Sequence, residues 1–322
     1  MPPRATANPS PRRWSLLLLA GLTAWLAGCA VPTGLRSLDS AAAAPQPRFG
    51  LLRLAGQDIE TEWHLPSSGG TTPGATAGPA AWLLLQHGFA RRCANLRHLA
   101  AQLAREAGVA TLCLNAEMGG GSPALADALA HWLASDEAQA PDGRGAPPRL
   151  IVGGFSAGGA FAARVGQGLA APGGAPDRLA GALLFDPVGG ASMGRALVAV
   201  SAGGQRPVRA LMAPPVRCNA MQVGVRALRA VRAAGLPERE PAFLGVVFTA
   251  GTHVDAEGPD TEALAVRACR DGWPRPAVVQ ALRDLATDWT RQMLQPDPGP
   301  ESRARTLARQ RLDGRVDWTE ID

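Results

Sequence analysis

Leu150–Gly159 reads LIVGGFSAGG, and its reading decides the fold. Leu150-Ile151-Val152 is an apolar, partly β-branched run of the kind that forms a buried strand. The glycine-rich segment behind it permits a tight reversal, and Ala157–Leu169 has helical periodicity. Strand, sharp turn and helix form the setting in which the serine of a G-x-S-x-G is held exposed at the top of a sheet. Ser156 occupies that position. Gly190–Gly194 (GASMG) repeats the pattern around Ser192, but it follows Asp-Pro-Val-Gly and no apolar run leads into it, so Ser192 reads as a loop residue.

Outward from Ser156 the same alternation continues. Strands are expected at 49–54, 59–65, 81–86, 109–115, 149–153, 182–185, 208–212 and 244–249. Helices are expected at 94–107, 123–134, 157–169, 221–234 and 276–294. From the third strand onward this is β-α-β order, which predicts a mostly parallel eight-stranded sheet covered by helices on both faces. The first two strands are too close for a crossover and read as a hairpin. Ser156 falls directly behind the fifth strand.

A serine hydroxyl needs a base oriented by a carboxylate to act as a nucleophile near neutral pH. Of the five histidines, His64 lies in the second strand, before the parallel sheet begins, and His98 and His131 lie within helices. His87 ends the third strand and reads as a structural residue of the following loop. His253 alone lies in the loop after the last strand. For the acid, no Asp or Glu occurs from Pro187 through Pro237. That leaves Asp186, at the end of the sixth strand, with Asp255 and Glu257 on the His253 loop as runners-up. The backbone N–H groups of Phe89 and Ala157 are the expected oxyanion donors, and Phe89, Phe155 and Met193 are candidate cleft walls. Only about twenty residues separate Asp186 from the seventh strand, too few for a folded cap domain.

The chain has 46% hydrophobic residues, ordinary for a globular core. Its formal charge of +5 includes Arg4, Arg12 and Arg13 of the leader. No basic stripe interleaved with aromatics appears, so a nucleic-acid partner is not expected. The chemistry needs no metal or cofactor. Arg12-Arg13 followed by the apolar run Trp14–Ala27 has the layout of an export signal. It ends in Leu26-Ala27-Gly28-Cys29, which resembles the lipobox of bacterial lipoproteins. That likeness implies a leader over 1–28, lipidation of Cys29, and, with Ala30 behind it, an outer-membrane address. Residues 29–47 read as a tether, 48–295 as the domain, and 296–322, opening Pro-Asp-Pro-Gly-Pro, as an appendage. Export places the other four cysteines in an oxidising compartment. Cys218–Cys269 is the favoured pair because the two flank the His253 loop; Cys93–Cys113 is a weaker candidate.

Three motifs then carry a resemblance. His87-Gly88-Phe89 with Asn95, the GGFSAGG around Ser156, and the LLFDPVGG carrying Asp186 together resemble an α/β-hydrolase of the chlorophyllase type. More distantly they resemble the bacterial polyester hydrolases and cutinases. Phe155 stands where that family more often has His, and polyester hydrolases place the acid one strand later. The resemblance spans roughly residues 48–270 and implies a serine esterase acting on small-molecule or lipid-like esters. An acyltransferase using the same three residues, and a non-catalytic surface lipoprotein with this fold, stay open as alternatives.

Overall fold

The fifth strand and its neighbours are apolar over most of their length because they are covered on both sides. In the computed structural model, which describes residues 46–66, 81–119, 122–297 and 299–322, β3 (Ala81–Gln86), β4 (Ala110–Leu114) and β6 (Leu179–Phe185) are buried at every position. β5 (Arg149–Phe155) is buried at all but its first. Continuous apolar runs of this kind mark parallel strands sandwiched between helices. With β7 (Val208–Met212) and β8 (Gly245–Phe248), these strands pair in parallel in the order β4-β3-β5-β6-β7-β8. β1 (Arg48–Leu54) and β2 (Gln57–His64) form the expected hairpin, and β2 pairs antiparallel with β4.

Helices cover both faces. α2 (Pro123–Ala134), α3 (Ala157–Ala170), α4 (Ala191–Ser201) and α5 (Gly224–Ala233) pack on one side, around Leu129, Phe161, Val165, Leu197 and Leu228. α1 (Arg97–Gln102), α6 (Ala263–Cys269), α7 (Pro276–Met293) and α8 (Glu301–Leu312) pack on the other, around Leu99, Leu103, Leu285, Trp289 and Leu312. The winding order reverses between the parallel strands β3 and β5: the connection from β3 leads outward to β4, that from β5 to β6 on the other side. That is the point at which parallel α/β sheets open a crevice at the carboxyl ends of their strands.

Three expectations need correction. Residues 296–322 are not an appendage: α8 packs in the core, and β9 (Trp318–Glu320) extends the sheet to nine strands, antiparallel to β8. Ser192 does not lie in a loop but in the first turn of α4. The single helix expected at 94–107 is a 3-10 turn at Cys93–Leu96, then α1, then a π-helical turn at Leu103–Ala107. The leader and Cys29 lie outside the described residues. Among the described residues no cap domain interrupts the sheet; the β6–β7 connection carries α4 alone.

Candidate active site

β5 ends in Phe155, which is 2% exposed, and the chain turns sharply at Ser156 with φ 54° and ψ −125°. A non-glycine residue there carries about 1–3 kcal/mol of backbone strain, held only because the surroundings fix it. The flanking glycines show how. A Cβ at Gly154 would overlap the carbonyl of Gly158, and one at Gly158 would overlap the carbonyls of Gln86 and His87. The Ser156 N–H donates to the Phe185 carbonyl at 3.0 Å, and its own carbonyl accepts from the Val188 N–H at 2.9 Å. The turn is thereby stapled to the end of β6, where Asp186 sits, also at positive φ (41°).

His253 comes from the run of turns behind β8. Its Nδ1–H donates to Asp186 Oδ2 at 2.6 Å, and its Nε2 accepts from the Ser156 hydroxyl at 3.1 Å. The tautomer follows from the carboxylate, which can only accept and so requires the proton on Nδ1. All three side chains are buried or nearly so, and the Phe155 ring packs on the imidazole with centroids 4.9 Å apart. Burial pushes the Asp186 pKa up; hydrogen bonds from His253, Asn219 and the Ala213 N–H oppose it.

The runner-up carboxylates are engaged elsewhere. Asp255 accepts from the N–H and hydroxyl of Thr252, at 2.7 and 2.8 Å. Glu257 forms a buried bidentate pair with Arg91, at 2.7 and 2.6 Å. Gly88 brings the loop behind β3 against the nucleophile turn, since a Cβ there would lie 2.9 Å from the Ser156 Cβ. Phe89 follows it directly. Ala157 opens α3, where N–H groups have no intrahelical acceptor. His87 is 1% exposed, its Nδ1–H donates to the Gly88 carbonyl at 2.9 Å, and burial lowers its pKa.

Two clefts meet at Phe89. One, of about 400 Å³, is lined by Phe155, Ser156, His253, Leu264 and Cys269; the other, of about 430 Å³, by Met118, Ala157, Ala160, Ser192 and Met193. Phe89 is 69% exposed, whereas Phe155 and Met193 belong to the core and are each 2% exposed where they line their clefts. Cys218 is bonded to Cys269, and Cys93 to Cys113. Sequence reasoning missed two neighbours. Asn219 donates to Asp186 Oδ2 at 3.1 Å, and Asp271 accepts the His253 N–H at 2.6 Å. A lone Asn or Asp in a loop carries no sequence signal for either contact.

No protein-family model matches the chain, and no curated protein matches it by sequence. Solved structures do resemble it. An esterase from Pseudomonas putida superposes with a TM-score of 0.56 at 17% identity, covering 79% of this chain and 85% of its own. Carboxyl esterase 2 from Tuber melanosporum superposes with 0.53 at 14% identity, covering 81% and 90%. A dienelactone hydrolase from Anabaena variabilis does so with 0.51 at 15%, covering 76% and 97%. With the sheet order and the position of Ser156 behind β5, these likenesses make the architecture an α/β-hydrolase fold.

Proposed function

We propose that the protein is a serine hydrolase that cleaves carboxylic esters through an acyl-enzyme. The observation that carries this reading is the continuous hydrogen-bonded chain Ser156–His253–Asp186, set at a strained turn and opening on an apolar cleft. His253 Nε2 takes the Ser156 proton as Oγ attacks the ester carbonyl. Asp186, poorly solvated as a buried carboxylate, then faces an imidazolium, and their attraction is strengthened by the low local dielectric. The N–H groups of Phe89 and Ala157 hold the oxyanion. His253 returns the proton to the departing alkoxide, and water, activated by the same base, releases the acid and frees Ser156. The esterases among the similar structures support the same chemistry.

The test is hydrolysis of a p-nitrophenyl ester series by the protein and by Ser156→Ala and Ser192→Ala. Ser156→Ala is expected to lose at least about 10⁴-fold in kcat, given the scale of loss when such a nucleophile is removed, while Ser192→Ala keeps its activity. Equal turnover by Ser156→Ala would exclude Ser156 as the nucleophile.

The cellular setting belongs to the same proposal: export and lipidation at Cys29, with the domain tethered to the outer membrane. The Leu26–Cys29 sequence supports it, as do two disulfides, which persist in oxidising compartments. Incorporation of a labelled fatty acid into the protein, but not into Cys29→Ala, is the expected result.

A further inference from the structure

His253 and Asp186 stand on loops, so something must hold those loops to the tolerance the chemistry needs. On the base side, the His253 N–H donates to Asp271 Oδ2 at 2.6 Å, eighteen residues further along the chain. Asp271 reaches back because α6 stops at Cys269 and Arg270 turns the chain with φ 59°. Among the described residues this is the only hydrogen bond the Asp271 carboxylate makes, and its Oδ1 is buried without a partner. On the acid side, Asn219 is fully buried. Its Nδ2 donates to Asp186 Oδ2 at 3.1 Å and to the Pro214 carbonyl at 2.7 Å. Its Oδ1 accepts the N–H groups of Val216 and Gln222, both at 2.9 Å. With both ends of the amide engaged, the group that faces Asp186 cannot turn away.

These two supports are joined covalently. Cys218 is the residue before Asn219, Cys269 stands two before Asp271, and the two cysteines are bonded to each other. Resting on the serine-hydrolase reading above, we propose that Asp271 and Asn219 are positioning residues acting as one device, with the Cys218–Cys269 bond coupling the loop that steadies the acid to the loop that steadies the base. Neither touches the substrate. Asp271 sets the height of the His253 backbone, and hence where Nε2 meets Oγ. Asn219 sets the carboxylate that Nδ1 points to. The cross-link makes a displacement of one support a displacement of the other.

The test measures kcat and KM on p-nitrophenyl butyrate, with melting curves, for the intact protein and for Asp271→Ala, Asp271→Asn and Asn219→Ala. The bond-free pair Cys218→Ser with Cys269→Ser, alone and combined with Asp271→Ala, completes the set. A displacement of about 1 Å at a catalytic group costs about 10²-fold. Asp271→Ala is therefore expected to lower kcat by about 10–100-fold with KM within about twofold. Asp271→Asn, which keeps an acceptor for the His253 N–H, should recover most of the loss. In the bond-free background Asp271→Ala should cost much less than in the intact one, because residues acting as a unit are not additive. Wild-type kcat in a folded Asp271→Ala protein, or fully additive losses, would overturn the proposal.

A second readout does not depend on turnover. The low-field proton resonance of His253 Nδ1–H should be sharp in the intact protein and broadened both in Asp271→Ala and after reduction of the bond. Its persistence unchanged in both would overturn the device. Should Asp271→Ala fail to fold, Asp271→Asn and the reduced protein carry the comparison. Failure of the underlying reading looks different: an intact protein that neither turns over esters nor reacts with a fluorophosphonate at Ser156 removes the nucleophile, whatever the resonance shows.

Discussion

Asp255 is 3% exposed, two residues from His253, and burial pushes its pKa up to about 6; the charges of Asp271 and Asp186 add to the effect and the Thr252 hydrogen bonds oppose it. The consequence is a pH-dependent cost. Between about pH 4 and 6 the unfolded chain gives up this proton while the folded chain keeps it, so stability falls as pH rises through that window and is flat above it. A shift of about two pKa units corresponds to about 3 kcal/mol. Asp255→Asn keeps the shape and can still bond both Thr252 groups. It is therefore expected to be more stable than the parent by up to about 3 kcal/mol near pH 8, with the advantage gone near pH 4. Denaturant melts at the two pH values measure this, and an equal gap at both would refute it. At this scale the sequence was legible where chemistry is rare and illegible where it is common. His253 stood out as the one histidine behind the last strand, and Asp186 as the acid left after a long stretch without carboxylates. Asn219 and Asp271 did not, because their partners are set by how two loops fold back, which no local pattern records.

At the scale of elements, the C-terminal helix shows the same divide. α8 reads ESRARTLARQRL, and its buried positions are Ala304, Ala308 and Leu312. Two of the three are alanines, so the apolar stripe is too faint to stand out among the arginines, and the Pro-rich segment before it reads as a linker. Beside that packing, a buried polar contact fixes the start of the helix. Glu301 pairs with Arg209 of β7 at 2.7 Å and accepts the Phe243 N–H at 2.9 Å, and Arg209 is only 2% exposed. Removing one partner of such a buried pair leaves an uncompensated charge, which costs about 3–5 kcal/mol. Glu301→Ala is expected to lose about that much, whereas Arg309→Ala, on the exposed face of the same helix, should stay within about 0.5 kcal/mol. If 296–322 were an appendage, neither change would move the melting temperature. α4 makes the complementary point: Met193, Ala196, Leu197 and Val200 are buried at helical spacing, a signal present in the sequence but masked by the glycines around Ser192.

At the scale of the whole molecule, on the proposed esterase reading, the sheet would set which side of Ser156 each half of an ester occupies. Ser156 and His253 line one cleft, Ala157 lines the other, and Phe89 stands between them. In the proposed tetrahedral intermediate the departing oxygen must lie beside His253 Nε2 to receive its proton, while the oxyanion would point to the N–H groups of Phe89 and Ala157, the proposed donors. On that reading the alcohol would extend into the cleft shared with His253, and the acyl chain would run toward Ala160 and Met193. With no cap over the sheet among the described residues, the cleft at His253 is bounded by surface residues, foremost Leu264, which is 73% exposed. An apolar alcohol reaching that rim buries it, at about 0.8 kcal/mol per methylene. Leu264→Asp removes that surface and adds a charge to be desolvated. It is expected to lower kcat/KM for octyl acetate by about tenfold and to leave ethyl octanoate within about twofold, since about 1.4 kcal/mol is tenfold and only the first ester reaches the rim. Steady-state kinetics on the two isomeric chain placements decides it. Equal losses on both esters would mean that Leu264 acts on the fold and not on the substrate. A loss confined to ethyl octanoate would reverse the assignment and place the acyl chain beside His253.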